Sequence, residues 1–167
     1  MVRSLAPARP PSFFTPDREP RFCWLISTRR TWAKNLSHHR KGGGTASIFM
    51  ADVTQSDQCQ AMADEVVSRY GSIDILSNNV GIGSAGTMLD AEESEWDRGL
   101  DVNLNSMFLT SKFVIPRMIE TCTLGGLIIN IASIDGMRAN WWPNISYAVS
   151  KAGAIAASYV PSPSAIT

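Results

Sequence analysis

The chain has 167 residues, no net formal charge, 44% hydrophobic residues and 18% charged ones. That is the balance of one globular domain able to bury a sizeable core. The neutral total points to no nucleic-acid partner, and no apolar run approaches the ~18–20 residues that cross a bilayer.

Cys23, Cys59 and Cys122 are odd in number and far apart, which fits neither a disulfide framework nor a zinc knuckle. His38 and His39 lack spaced Cys or carboxylate partners, so no metal site is expected. Cysteine use of this kind makes a reducing, cytoplasmic compartment the default.

Charge is unevenly spread. Residues 1–41 carry nine Arg or Lys against two acidic residues, a surplus of seven that residues 42–167 balance with seven negative charges. Five prolines fall in the first 20 residues, and the segment 1–41 contains no glycine. Such a basic, Pro-rich stretch is expected to be disordered. A mitochondrial leader is the alternative, opposed by Asp17, Glu19 and the prolines. The run Phe22–Ile26 is too short for a signal peptide's apolar core.

From residue 42 to 160 the pattern is that of a folded α/β unit. Thr45–Met50 reads as a strand that leads to Asp52. Cys59, Met62, Val66 and Tyr70 recur at helical spacing over 55–70, with Thr54 and Asp57 set as a capping box and Gly71 as the stop. Ile73–Ser77 is a second strand, followed by a glycine-rich loop over 78–86. Residues 91–100 predict a helix, weakened by Gly99. Leu104, Phe108, Ser111, Ile115, Met118 and Cys122 mark the inner face of a long helix that Pro116 should kink. Leu127–Ala132, apolar without alternation, reads as a buried parallel strand. Residues 147–158 predict an Ala-rich helix, and 161–167 form a tail. This order of elements argues for a parallel sheet with helices on both faces.

Tyr147 and Lys151 lie four residues apart, one above the other on a helix. A phenol with an ordinary pKa near ~10 is a poor base at neutral pH. A cation within ~4–6 Å favours the phenolate, so the pair can serve as general acid and base. Ser133 follows the buried strand, at the carboxyl end where ligands of parallel sheets sit. Alone, it reads equally well as a turn or cap residue.

Upstream stand Asn78-Asn79-Val80-Gly81 after a strand and Asp101-Val102-Asn103-Leu104 at the head of the long helix. Asn-Asn-x-Gly, then Asn, then Ser, then Tyr-x-x-x-Lys, in that order, resembles the short-chain dehydrogenase/reductase family over residues 42–158. The resemblance implies a Rossmann-like, doubly wound sheet and an NAD- or NADP-dependent oxidoreductase acting on an alcohol or carbonyl compound. It implies Tyr147 as the acid/base, Ser133 as the group that orients the substrate oxygen, and Lys151 as the residue that lowers the tyrosine pKa and binds the nicotinamide ribose. Asn103 would hold a break in its helix and support a proton relay to Lys151. Asn79, Val80 and Gly81 would line the cofactor pocket, with Asn79 and Gly81 tying the central strands together. Asp52 and Val53 would meet the adenine. The helices over 103–122 and 147–158 would form the contact of a homo- or hetero-oligomer.

Gly81-Ile-Gly83-Ser-Ala-Gly86 also matches the dinucleotide fingerprint G-x-G-x-x-G. It is rejected, because no helix is expected to open at Gly86 and Asp101 falls at a helix start rather than a strand end. The true phosphate loop should precede Asp52 by several dozen residues, in a region without glycine. The expected fold is therefore a partial parallel sheet that lacks the first strand, the glycine-rich loop and, with them, the second strand. The alternative function that follows is an inactive fragment that at most associates with other subunits of the family.

Overall fold

The computed structural model describes residues 21–26, 45–122, 126–138 and 141–159, with the backbone alone for 21–26 and 45–46. Within them four strands run parallel as two pairs. Strand β1 (Arg21–Ile26) pairs with β2 (Thr45–Met50), Arg21 opposite Thr45 through Ile26 opposite Met50. Strand β3 (Ile75–Asn78) pairs with β4 (Leu127–Asn130), Ile75 opposite Leu127 through Asn78 opposite Asn130. No ladder joins the two pairs among the described residues.

Strand β1 corrects two expectations. The segment 1–41 contributes a strand instead of being disordered throughout, and the strand that precedes Thr45–Met50 is present. The continuous apolar run Phe22-Cys-Trp-Leu-Ile26 has the length and composition of a parallel strand. The basic, proline-rich composition around it hid that signal. The remainder of 1–41, the glycines Gly42–Gly44 and the tail 161–167 lie outside the described residues.

Helix α1 (Ser56–Tyr70) buries Cys59, Met62 and Ala63 and ends on Gly71, whose φ of 83° is the left-handed cap expected of it. The capping box does not form. Gln55 is the N-cap and makes no side-chain cap bond, because Thr54 turns back and gives both its amide N–H and its hydroxyl to Asp52 Oδ1, at 3.0 and 2.7 Å. Helix α2 (Glu93–Leu100) runs into a π-helical turn at Asp101–Asn105 and then into α3 (Ser106–Thr121), which continues through Pro116.

Helix α3 buries Ser106, Met107, Thr110, Val114 and Met118, a face rotated from the one expected, and Phe108 is 60% exposed. The inner stripe contains hydroxyls whose burial is satisfied by hydrogen bonds. Thr110 Oγ1 donates to Asn78 Oδ1 at 2.7 Å, and Ser106 Oγ donates to the Val102 carbonyl at 2.6 Å. The core joins Ala51, Val53, Cys59, Met62, Ala63, Ile73, Val114 and Met118, with Phe49, Leu76, Leu109 and Ile128 against it. Helices α1 and α3 thus bridge the two strand pairs, and Arg117 of α3 ties them outside the core by an ion pair to Asp64 of α1, with Glu120 one turn on along α3 as its second partner.

Strand β4 departs from the uniform burial expected of it. Leu127 and Ile129 are 51% and 40% exposed, while Ile128 packs into the core. Successive side chains point to opposite faces, and among the described residues only the α1–α3 face of this ladder is covered.

Helix α4 (Ile145–Ala157) crosses the carboxyl end of β4 and buries Ser146, Ser150, Lys151 and Ala154. Gly99, expected to weaken α2, is there for close approach: a Cβ on it would lie 2.5 Å from Ser146 Oγ on α4. Among the described residues no helix is long and apolar enough to cross a membrane.

Candidate active site

The site is assembled by loops that leave the carboxyl ends of β3 and β4. Asn103 sits in the π-helical turn, 3% exposed. A π turn adds one residue to the helical circuit and turns a side chain inward. Here Asn103 Oδ1 accepts from the Ile82 N–H at 2.7 Å, and its Nδ2 donates to the Ile82 carbonyl at 3.1 Å and to Ser150 Oγ at 3.0 Å. One amide thus holds the loop after β3 against α4. This local break in the helix is the one expected at Asn103.

Lys151 is 4% exposed, and its Nζ donates to the Ile131 carbonyl at 2.7 Å. The ammonium stands 5.7 Å from the centre of the Tyr147 ring. Burial lowers its pKa from the ordinary 10.5, because leaving water disfavours the charged form. The backbone at Gly81 passes close by: a Cβ there would be 3.4 Å from Lys151 Nζ and 3.7 Å from Asn103 Oδ1. Tyr147 is half-buried in the first turn of α4, and its N–H is capped by Ser84 Oγ at 3.1 Å. Asn144, the formal N-cap, makes no cap bond and donates instead to Asp135 Oδ2 at 3.1 Å.

Ser133 caps the 3-10 turn Ile134–Gly136, its Oγ accepting from the Asp135 N–H at 3.2 Å. The turn packs against α4. The hydroxyl keeps its donor and a second lone pair in this role, so capping does not consume it.

The strand tie falls on Asn78 rather than Asn79. Asn78 is 7% exposed; its Nδ2 donates to Asn130 Oδ1 on β4 at 2.9 Å and to Ser111 Oγ on α3 at 3.1 Å. Alternation sets the difference: Asn78, the last residue of β3, points at α3, and Asn79 follows with the opposite sense. Val80 packs on the core, and Val53, 2% exposed, lies inside it. A base beside Val53 would therefore meet backbone there. Asp52 is exposed, with one carboxylate oxygen engaged by Thr54.

Ser84 and Ser150 were not among the expected site residues. Ser150 is fully buried, accepts from Asn103 and donates to the Tyr147 carbonyl at 2.7 Å. Its place inside Tyr-x-x-Ser-Lys was a usable signal. Ser84 acts across 63 positions of sequence, and nothing local announced it.

The glycine-rich loop behaves as expected of a false fingerprint. Gly86 has φ 108° and exchanges backbone hydrogen bonds with Pro143 and Ile145 at 3.0 and 3.2 Å, and no helix opens there. Among the described residues a nicotinamide dinucleotide is thus matched at one end only. The buried ammonium of Lys151, the Tyr147 phenol and the close backbone at Gly81 fit a ribose and its carboxamide ring. Among the described residues no glycine loop opens a helix that could cradle the pyrophosphate. Those residues also hold no group of three or more His, Cys, Asp or Glu suited to a metal ion.

A parallel α/β unit with a Tyr–Lys pair at the carboxyl ends of its strands has the layout of a Rossmann-like oxidoreductase. The chain belongs to the short chain dehydrogenase family, which it matches over residues 22–159. It is 36% identical over 112 residues to a 3-oxoacyl-[acyl-carrier-protein] reductase of Thermotoga maritima, covering 67% of this chain and 44% of that protein. It is 37% identical over 115 residues to a (5R,7aS)-5-hydroxy-7a-methyl-1-oxo-2,3,5,6,7,7a-hexahydro-1H-indene-carboxyl-CoA reductase of Mycobacterium tuberculosis, covering 69% and 43%.

Among solved structures, an NAD+-bound xylitol dehydrogenase is similar with a TM-score of 0.76 and 30% identity, over 82% of this chain and 52% of that one. A short-chain dehydrogenase/reductase from Burkholderia xenovorans gives 0.75 and 34%, over 80% and 50%. The chain therefore spans about half the length, or less, of these relatives.

Proposed function

We propose that the chain carries the proton-transfer half of an NAD(P)-dependent oxidoreductase site that acts on an alcohol or carbonyl compound. The observation that supports this reading most is the placement of Lys151: an almost fully buried ammonium, tethered to the Ile131 carbonyl, one helical turn from Tyr147 and 5.7 Å from its ring. A buried cation so placed favours negative charge on the phenol oxygen as its proton leaves.

The dinucleotide, when bound, supplies or takes the hydride. In the reducing direction, Tyr147 Oη gives its proton to the substrate oxygen as that oxygen gains negative charge. Ser133 Oγ hydrogen-bonds the same oxygen and fixes its direction. Lys151 stabilises the phenolate left behind and holds the ribose. Asn103 keeps the loop over 79–83 in register with α4, so the walls of the site stay fixed while the proton moves. Asp52, Val53, Asn79, Val80 and Gly81 complete the cofactor side.

The test is titration of NADH and NADPH fluorescence with the purified chain, with turnover of a ketone followed in wild type and Tyr147→Phe. The reading expects binding in both proteins and turnover in wild type alone. Equal turnover in the two would remove Tyr147 from the chemistry.

A second reading is an inactive fragment that associates with other subunits of the family. Its support is the missing pyrophosphate cradle among the described residues, together with Phe108 and Ile119 on α3, 60% and 63% exposed. Sedimentation of the chain alone and with a full-length relative tests it. No dinucleotide binding combined with a stable mixed dimer would favour this reading.

A further inference from the structure

Two loops meet above the candidate site, and both present apolar side chains to solvent. The loop after β3 carries Met88 and Leu89, 81% and 98% exposed. The loop between β4 and α4 carries Met137, Trp141 and Trp142, at 72%, 103% and 68%. Backbone bonds from Gly86 to Pro143 and Ile145 stitch the loops together, and Asn144 to Asp135 braces the second across its base. The second loop begins at the 3-10 turn that Ser133 caps and ends in the first turn of α4, where Tyr147 stands. The apolar rim is thus continuous with the two groups that would hold a substrate oxygen.

Five large apolar side chains on two short loops exceed the scattered exposure ordinary for a surface. Two adjacent indoles offer broad, stiff faces at low entropic loss. The nearby carboxylates are already engaged: Asp90 accepts from Thr87, and Asp135 from Asn144. Arg138, exposed beside Met137, is the charge of the second loop that a neutral, flat, apolar group would lie beside.

We propose that Met88, Leu89, Met137, Trp141 and Trp142 form a substrate rim that selects ketones or alcohols bearing an aromatic or fused-ring apolar group. The inference rests on the oxidoreductase reading for the position of the reacting oxygen, and adds the class of compound. The body of such a substrate lies across Trp141 and Trp142 while its oxygen points to Tyr147 and Ser133. Small polyhydroxy ketones leave the rim unused.

The experiment is saturation-transfer NMR on the full chain, with 2-acetylnaphthalene as the apolar probe and dihydroxyacetone as the polar one, alongside NADH consumption with each. Wild type is expected to bind the naphthyl ketone through its ring protons. The double variant Trp141→Ala/Trp142→Ala is expected to bind it roughly tenfold or more weakly, about 1.4 kcal/mol. Trp141→Phe, which keeps an aromatic face, should retain part of the affinity, and Trp96→Phe, a change on α2 outside both loops, all of it. Both indoles project from a loop, and an unchanged far-ultraviolet circular dichroism spectrum checks that the variants fold.

Naphthyl ketone binding that needs the indoles, without NADH consumption, supports the rim and tells against the oxidoreductase reading. Consumption of NADH with dihydroxyacetone that the indole variants leave unchanged, without naphthyl ketone binding, supports that reading and overturns the rim. Self-association of wild type that the double variant abolishes also overturns it, by assigning the indoles to a contact between copies.

Discussion

Asn103→Ala tests how much of the site rests on one side chain. The amide makes three hydrogen bonds, to both backbone groups of Ile82 and to Ser150 Oγ. Truncation leaves Ser150 its bond to the Tyr147 carbonyl, but strips the Ile82 N–H and C=O of their partners. An unsatisfied buried group costs about 1–3 kcal/mol. Ile82 is half-buried, so water can reach part of the gap, and about 2–3 kcal/mol in all is the expected loss. For a chain of this size a urea slope of roughly 2 kcal/mol per molar turns that into a midpoint about 1–1.5 M lower. Urea unfolding followed by circular dichroism reads it directly.

Asn103→Asp sharpens the test. The carboxylate still accepts from the Ile82 N–H but cannot donate to its carbonyl, and it brings a buried charge with no cation bonded to it. The Lys151 ammonium across Gly81 opposes that burial, so the comparison with Asn103→Ala at neutral pH isolates the lost donor to the Ile82 carbonyl. A midpoint for Asn103→Ala within about 0.25 M of wild type, about 0.5 kcal/mol, would refute the claim that this amide holds the loop on α4.

Gly99→Ala should destabilise by about 1–3 kcal/mol despite alanine's better helix propensity, because its Cβ would meet Ser146 Oγ at 2.5 Å. Thermal unfolding of this variant beside Gly83→Ala, where a Cβ meets nothing within 4 Å, separates the clash from any general effect. Arg117→Ala should lower stability only slightly, since the ion pair to Asp64 is 35% and 46% exposed, and that difference should shrink further in 0.5 M salt. Cys59, wholly buried and close to Asp52 and Asp57, has its thiol pushed up from 9.0 to about 11, mainly by desolvation. Its contribution is complete below pH 9 and is lost as pH rises towards 11, by on the order of 2 kcal/mol. Cys59→Ser, which cannot ionise there, should lose less stability than wild type between pH 8 and 10.5 in urea titrations.

Local periodicity revealed most of the elements from residue 45 onward, because burial on one side repeats Cys59, Met62 and Val66 at helical intervals. The Tyr147–Lys151 pair was legible for the same reason: a four-residue spacing on a helix fixes direction. Where the sequence misled, a polar group was doing the packing. Thr110 and Ser106 line the inside of α3 because Asn78 and a backbone carbonyl satisfy them, so an apolar count chose the wrong face. The bond of Asn78 to Asn130 was not legible in the motif, because strand alternation hands such a role to one residue and not to its neighbour. Ser84 capping α4 from a distant loop, and β1 inside a proline-rich segment, depend on tertiary contacts that no local window contains.

The two ladders share a core but no hydrogen bond among the described residues. A two-stranded ladder by itself is marginal in water, so each holds only as long as α1 and α3 grip it. Amide exchange should then divide the molecule by helix attachment rather than by sheet. The β3–β4 amides, pinned by Asn78 to α3, should exchange at the slow rate of that helix, and those of β1–β2 should open sooner and separately. Mechanically, the described residues form a helix pair that carries two ribbons, and pulling on one ribbon would leave the other in place.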